Sequence, residues 1–136
     1  HPTTDYPGLP VDHSRTQKTF EVLKGIRVPI RPHFGTMGVA PAEDDRVNTI
    51  PPSYTSGNSD NWRIRKGATL YYPVAVPGAL FSVGVPHASQ GDSEWCGTAI
   101  ECSLTGTFQF ILHKKADLPG TPLEALDFPM IETRAY

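Results

Sequence analysis

The stretch ATLYYPVAVPGALFSVGV, residues 68–85, decides the fold. It contains two runs rich in aromatic and β-branched residues, 68–76 and 80–85, and such runs are typical of β-strands. A Pro-Gly-Ala turn sequence separates them. Pro73 has no backbone N–H to donate, so the first run is expected to break or to lie at a sheet edge. The stretch therefore predicts two short strands joined by a turn.

Strand-forming patterns continue on both sides of this stretch. Residues 97–104 and 107–114 flank Thr105-Gly106, a spacing that predicts a β-hairpin. Residues 19–30 alternate around a glycine and predict two short strands or one bulged strand. The 12 Gly and 14 Pro also favour tight turns over long helices. We therefore predict an all-β or nearly all-β fold, a short-stranded sandwich or barrel-like domain with long Gly/Pro-rich loops.

The length and charge of the chain indicate one domain without a nucleic-acid or membrane partner. The 136 residues are 38% hydrophobic, and 12 basic and 14 acidic side chains give a net charge of −2. This balance gives no electrostatic reason for binding nucleic acid or an anionic membrane. We predict an extended, Pro-rich N-terminal arm over 1–18 and a single β-rich domain over 19–136. Within that domain, 121–126 is a short helical candidate.

The two cysteines, Cys96 and Cys102, do not define a site by themselves. Two thiols form neither a disulfide framework nor a zinc site. We interpret both as small packed hydrophobic residues.

The segment HASQGDSE, residues 87–94, is dense in side chains that bind metals or move protons. If it is extended, Asp92 and Glu94 point to one face and could hold a cation, with His87 as a nitrogen ligand. Alternatively, one of the two carboxylates acts as a general base without a metal. A third interpretation is an exposed turn in which Asp92 caps backbone N–H groups. The residues of this segment leave all three open.

Further polar residues are candidates on weaker grounds. His33 is interpreted as structural rather than catalytic. Asp60, in SGNSDNW, is either a ligand or an Asx-turn residue. Glu101 lies in a predicted strand and is a site residue only if its face is buried. Gly35 and Gly38 allow close backbone approach.

Three segments read together resemble the acetamidase/formamidase family. They are PHFGTMGVAPAE (32–43), GNSDNWRIRKGATLYYPVAVPGALFSVG (57–84) and HASQGDSEWCGTAIE (87–101). The sequences NWRIRKGATLYYPV and ECSLTGTFQFILHKK are most similar to the fungal formamidase branch. The resemblance implies hydrolysis of a small linear amide, formamide or acetamide, to the acid and ammonia. It also implies a β-rich fold, a divalent metal in at least some members, and homo-oligomers.

The resemblance also implies roles for residues of this chain. The implied metal ligands are Asp60 and His87, with zinc as the expected ion. The implied catalytic carboxylates, as further ligands or a general base, are Asp92, Glu94 and Glu101. The residues expected to bind substrate are Gln90, Thr36 and Gly38, because the GTMG glycines would let backbone N–H groups approach a developing oxyanion.

This chain departs from the family pattern in two ways. A second function therefore remains open as an alternative to amide hydrolysis. Val85 stands where the family implies an acidic residue, and family members are much longer than this chain. The alternative is a catalytically inactive relative that binds a small ligand or a carbohydrate in a lectin-like manner. Tyr54, Trp62 and Trp95 would then stack on sugar rings, although each is also a candidate for core packing. The expected partners are a small amide or other small ligand and further copies of the chain, and the expected location is the cytoplasm.

Overall fold

The structure is a computed structural model and describes residues 24–133. The predicted arm over 1–18 and residues 19–23 of the first predicted strand region lie outside the described residues. Within them the chain forms six short strands: β1 His33–Gly38, β2 Ser56–Asn58, β3 Thr69–Tyr71, β4 Ser82–Gln90, β5 Ala99–Glu101 and β6 Met130–Glu132. Short 3-10 turns occupy Asp92–Gly97 and Lys115–Asp117, and no α-helix occurs between residues 24 and 133.

The strands form two antiparallel sheets. The larger sheet has the order β2-β1-β4-β5, and the smaller pairs β3 with β6. The predicted nearly all-β class is therefore confirmed. The larger sheet ends at β2 and β5, so within the described range it is an open sheet rather than a closed barrel. In this same range, no helix is both long enough and apolar enough to cross a bilayer.

The predicted hairpin across Thr105-Gly106 is wrong. Residues 99–101 form β5, but β5 pairs with β4, where His87 lies opposite Glu101. The pairing with β4 extends by one contact, because the backbone N–H of Cys102 donates to Pro86 O at 3.1 Å. Residues 107–114, the second half of the predicted hairpin, adopt no regular strand.

Two further local predictions are also wrong, whereas the predicted break at Pro73 is confirmed. The described part of 19–30, residues 24–30, contains no strand. The first run of the opening stretch is a strand only over Thr69–Tyr71 and ends before Pro73, as the missing N–H requires. Residues 121–126 form turns with i+3 hydrogen bonds, such as Glu124 N–H to Thr121 O at 3.1 Å, and not a helix.

The interior of the described part is mostly polar. Its buried apolar side chains are Met37, Trp62 and Ile64, and its buried polar ones are His33, Thr55, Ser56, Asp60, His87, Ser89 and Gln90. Buried polar groups cost free energy unless they find partners, and they concentrate at functional sites. The junction of β1 and β4, where His33 and His87 are buried, is therefore the candidate site.

Candidate functional site

Strands β1 and β4 place two histidines side by side. His33 and His87 are directly paired across the two strands, and their ring centroids lie 5.0 Å apart at 75°. Both side chains are almost completely buried, at 2% and 0% exposure. Antiparallel neighbours point to the same face of a sheet, so this register brings two residues that are 54 positions apart into one site.

Asp60 enters the site beside Gly35 of β1. The Asp60 N–H donates to Gly35 O at 3.0 Å, and Asn58 donates from its amide to Asp60 Oδ2. A Cβ at position 35 would overlap Asp60 Oδ1 and lie 3.0 Å from His87 Cε1. The predicted close approach at Gly35 is thus a packing requirement of the site.

Asp60, His87 and Glu94 together form a cluster that suits a divalent cation. One potential ligand atom from each lies within 4.8 Å of the others, and His87 Nε2 is 3.5 Å from Glu94 Oε1. Two buried atoms of the cluster, Asp60 Oδ1 and His87 Nε2, lack a hydrogen-bond partner. Buried polar atoms are almost always paired, and a cation would satisfy both of these at once. One nitrogen and carboxylate oxygens also make a donor set that zinc accepts.

Glu94 holds its proton more tightly than an ordinary glutamate. Burial, the neighbouring Asp60 carboxyl and the charge of Glu101 raise its pKa to about 7. The Glu94 side chain is 14% exposed, so water does not stabilise its charge as it would at the surface. A carboxyl with a pKa near neutrality can both accept and donate a proton at physiological pH.

The loop after β4 is not extended, and this separates Asp92 from Glu94. Ser93, Glu94 and Cys96 have left-handed φ values of 61°, 45° and 57°. Glu94 turns towards His87, whereas Asp92 accepts from Arg63 Nη1 at 2.7 Å and from Trp62 Nε1 at 2.8 Å. These two donors lower the pKa of Asp92. The predicted shared face of Asp92 and Glu94 is therefore wrong, and Asp92 lies outside the cluster.

Gln90 points into the protein. Its Oε1 lies 2.7 Å from His87 Nδ1 and 2.9 Å from His33 Nε2. Its amide N–H donates to the carbonyl of Asp60. Both ends of the side chain are thus engaged within the site, although Gln90 was predicted to contact substrate.

The remaining predicted residues surround the cluster. Glu101 is exposed on β5 opposite His87 and adds negative charge near Glu94. The Thr36 hydroxyl donates to Asn58 Oδ1, and a Cβ at Gly38 would overlap Thr55 O. Both residues therefore support the packing of β1 against β2 and against Thr55, which directly precedes β2. Val85 is 39% exposed and has a φ of 50°, a conformation that strains a β-branched residue.

Sequence reasoning missed the contribution of His33. Its Nδ1 lies 2.7 Å from Arg31 O, and its Nε2 faces Gln90 and His87. The interpretation of His33 as structural came from its local sequence, where a lone histidine shows no partner. Only the pairing of β1 with β4 reveals its position.

The aromatic and thiol side chains differ in accessibility. Trp62 is buried, with the guanidinium groups of Arg31 and Arg63 each 4.5 Å from its ring centroid, and the Tyr54 hydroxyl donates to Glu43. Trp95 is 80% exposed. Cys96 is also exposed, so its predicted packing is wrong. Cys102 is half-buried.

Comparison with known proteins identifies relatives of this chain. Residues 42–119 match the Acetamidase/Formamidase family. The acetamidase of Mycolicibacterium smegmatis is 41% identical over 76 residues, which cover 49% of this chain and 18% of that protein. The formamidase of Methylophilus methylotrophus is 45% identical over 62 residues, covering 44% of this chain and 15% of that protein. The chain thus spans less than one fifth of the length of either relative.

A solved structure gives a longer match. The acetamidase of Yersinia enterocolitica superposes with a TM-score of 0.61 at 30% identity, over 82% of this chain and 31% of that one. The matched region of the family includes all three residues of the cluster, because 60, 87 and 94 fall within 42–119.

Proposed function

We propose, from the premise that this chain belongs to the acetamidase/formamidase family, that its site hydrolyses a small linear amide such as formamide or acetamide. The observation that carries the proposal is the cluster of Asp60, His87 and Glu94, in which two buried polar atoms have no hydrogen-bond partner. The products are the carboxylic acid and ammonia.

Asp60 and His87 would hold a divalent cation, with zinc as the proposed ion. The unpartnered Asp60 Oδ1 and His87 Nε2 are the donor atoms that fit it. A bound cation would supply Lewis acidity that polarises the amide carbonyl. The chain itself fixes the two ligands, since Asn58 and the Gly35 carbonyl orient Asp60, and the β1–β4 register orients His87.

Glu94 is proposed to move the proton. Its Oε1 lies 3.5 Å from His87 Nε2, so the carboxyl is placed to take a proton from the attacking water and return it to the departing nitrogen. Glu101 acts on Glu94 through its charge. Asp92 is bound to Arg63 and Trp62, and its proposed role is to anchor the loop that carries Glu94.

The direct test measures ammonia release from formamide and acetamide by the 136-residue chain, with and without added zinc. We expect zinc-dependent release that His87→Ala abolishes, while the same substitution at the exposed His113 leaves it unchanged. An absence of release at every zinc concentration would contradict the proposal.

A second measurement separates the two roles assigned to the cluster. Glu94→Gln should lower the rate by about 100-fold or more, the usual contribution of a positioned proton carrier, while zinc still binds. A loss of zinc binding in this variant would instead make Glu94 a third ligand.

One observation favours the alternative of sugar binding. Trp95 follows Glu94 directly and presents most of its ring to solvent, as a sugar-stacking residue would. If ammonia release is absent and a sugar changes the Trp fluorescence of the chain but not of Trp95→Ala, the binding function is supported. The buried Trp62 remains in that variant as an internal reference.

A further inference from the structure

The amide of Gln90 has one possible orientation. Its nitrogen faces the carbonyl oxygen of Asp60, which can only accept a hydrogen bond. The reverse orientation would place two oxygens against each other. Gln90 Oε1 therefore faces the two histidines, and it too can only accept.

This orientation decides which nitrogen of His87 carries the hydrogen. His87 Nδ1 lies 2.7 Å from Gln90 Oε1, so Nδ1 must be the donor. In a neutral imidazole the other nitrogen, Nε2, then has a free lone pair. That atom is the one that faces Glu94 Oε1 at 3.5 Å and lacks a hydrogen-bond partner.

The His33 ring packs against His87 and the Gln90 amide. Its Nδ1 must donate to the carbonyl of Arg31, 2.7 Å away, which holds the ring in place. Its Nε2 lies 3.2 Å from His87 Nδ1 and 2.9 Å from Gln90 Oε1.

We propose that Gln90 is a positioning residue: its amide holds His87 in the Nδ1–H tautomer, with His33 packed behind the pair. The consequence for metal binding rests on the proposed function, since the freed His87 Nε2 is the proposed ligand atom. A partner of the second ring nitrogen sets the tautomer and the basicity of a metal-binding histidine, and its loss commonly costs 10–100-fold in metal affinity.

The test reads the tautomer by long-range ¹H–¹⁵N correlation NMR of the metal-free chain at pH 8. His87 signals are identified as those missing in His87→Asn. We expect His87 Nδ1 to carry the hydrogen in the native chain. Gln90→Leu, which removes the acceptor, should shift His87 towards Nε2–H, whereas Gln90→Glu, which keeps an acceptor, should not.

The control is Gln109→Leu, the same substitution at an exposed glutamine. Calorimetry should show zinc affinity reduced about 10–100-fold in Gln90→Leu and unchanged in Gln109→Leu. An Nε2–H or doubly protonated His87 in the native chain overturns the proposal, as does an unchanged tautomer in folded Gln90→Leu. The native spectrum decides even if that variant does not fold.

The two proposals fail in distinguishable ways. The tautomer is measured without metal or substrate, so an Nδ1–H signal in a chain that releases no ammonia would support the inference and contradict only the hydrolytic function. Ammonia release by a chain whose His87 carries its hydrogen on Nε2 would support the hydrolytic function and contradict only the inference.

Discussion

Glu94 makes the stability of the protein depend on pH in a direction opposite to most carboxylates. Its folded pKa of about 7 lies above the ordinary value of 4.5, so the folded state binds its proton more tightly than the unfolded state does. Stability is then lost as pH rises from about 4.5 to 7, because the charged form is penalised in the fold.

Glu94→Gln should remove this penalty. In metal-free buffer we expect the free energy of unfolding to rise by about 1–2 kcal/mol at pH 8 and to be unchanged at pH 4, since one pKa unit is about 1.4 kcal/mol and solvent screens part of the interaction. Urea unfolding at both pH values measures it. Glu124→Gln, at an exposed carboxyl, is the control, and a Glu94→Gln chain that is less stable at pH 8 would contradict the sign.

At Gly35, Asp60 of the cluster occupies the space that a side chain would need. Gly35→Ala would place a Cβ against Asp60 Oδ1 and 3.2 Å from the carbonyl of Val85. Because this neighbour is backbone and cannot swing away, we expect a loss of about 1–3 kcal/mol in unfolding free energy and weaker zinc binding. Thermal unfolding and zinc calorimetry check both effects.

Gly84→Ala is the matched control for this substitution. Gly84 lies on β4 opposite Thr36, and no atom comes within 4 Å of a Cβ built there. Equal losses in the two variants would show that the cost comes from alanine in the sheet and not from the site.

Asp92 anchors the loop over Asp92–Gly97 at its start. Asp92 accepts from Arg63 and Trp62, and the left-handed residues that follow turn Glu94 inwards. Asp92→Ala should therefore release the loop and speed amide hydrogen exchange over 92–97, while β1 and β4 keep their protection. Asp117→Ala, in the other 3-10 turn, should leave exchange at 92–97 unchanged. Unaltered exchange at 92–97 in Asp92→Ala would exclude the anchor.

At the level of elements, the sequence predicts strand-forming segments better than it predicts their partners. Val83 and its neighbours are strand formers wherever they pair, so a strand over 80–85 was expected, although β4 itself continues to Gln90. β1 contains two glycines and was not, because its stability comes from pairing on both sides with β2 and β4. The hairpin failed because a two-residue turn sequence competes with the register that pairs Glu101 with His87.

In the site, too, the sequence predicts which residues take part better than it predicts their contacts. Asp60, His87 and Glu94 were all named from the sequence, and the structure brings them together. Asp92 was grouped with Glu94 because period-two alternation assumes an extended chain, whereas left-handed residues follow Asp92. The contacts of Gln90 and His33 depend on a long-range register that no local pattern contains.

At the scale of the whole molecule, the described residues 24–133 bury more polar than apolar side chains and expose many large apolar ones. Phe34, Phe81, Phe108 and Phe110 form a chain of ring contacts with centroids 5.1–5.6 Å apart, yet Phe110 is 71% exposed. Ile111 and Leu112 beside it are 64% and 76% exposed. Within residues 24–133, the backbone of 108–113 makes no backbone–backbone hydrogen bond. A strand-forming, apolar and unpaired segment is a template for pairing with another strand.

We propose that this segment, 107–114, mediates the homo-oligomer that the family resemblance implies. Phe110→Ser combined with Leu112→Ser should shift sedimentation towards the monomer and raise the dissociation constant at least about tenfold, because two large side chains would no longer be buried between copies. Ile50→Ser, at a side chain 73% exposed in a different loop, should leave association unchanged. A native chain that sediments as a monomer at all concentrations would refute the proposal, and equal weakening by Ile50→Ser would show that association is not specific to the segment.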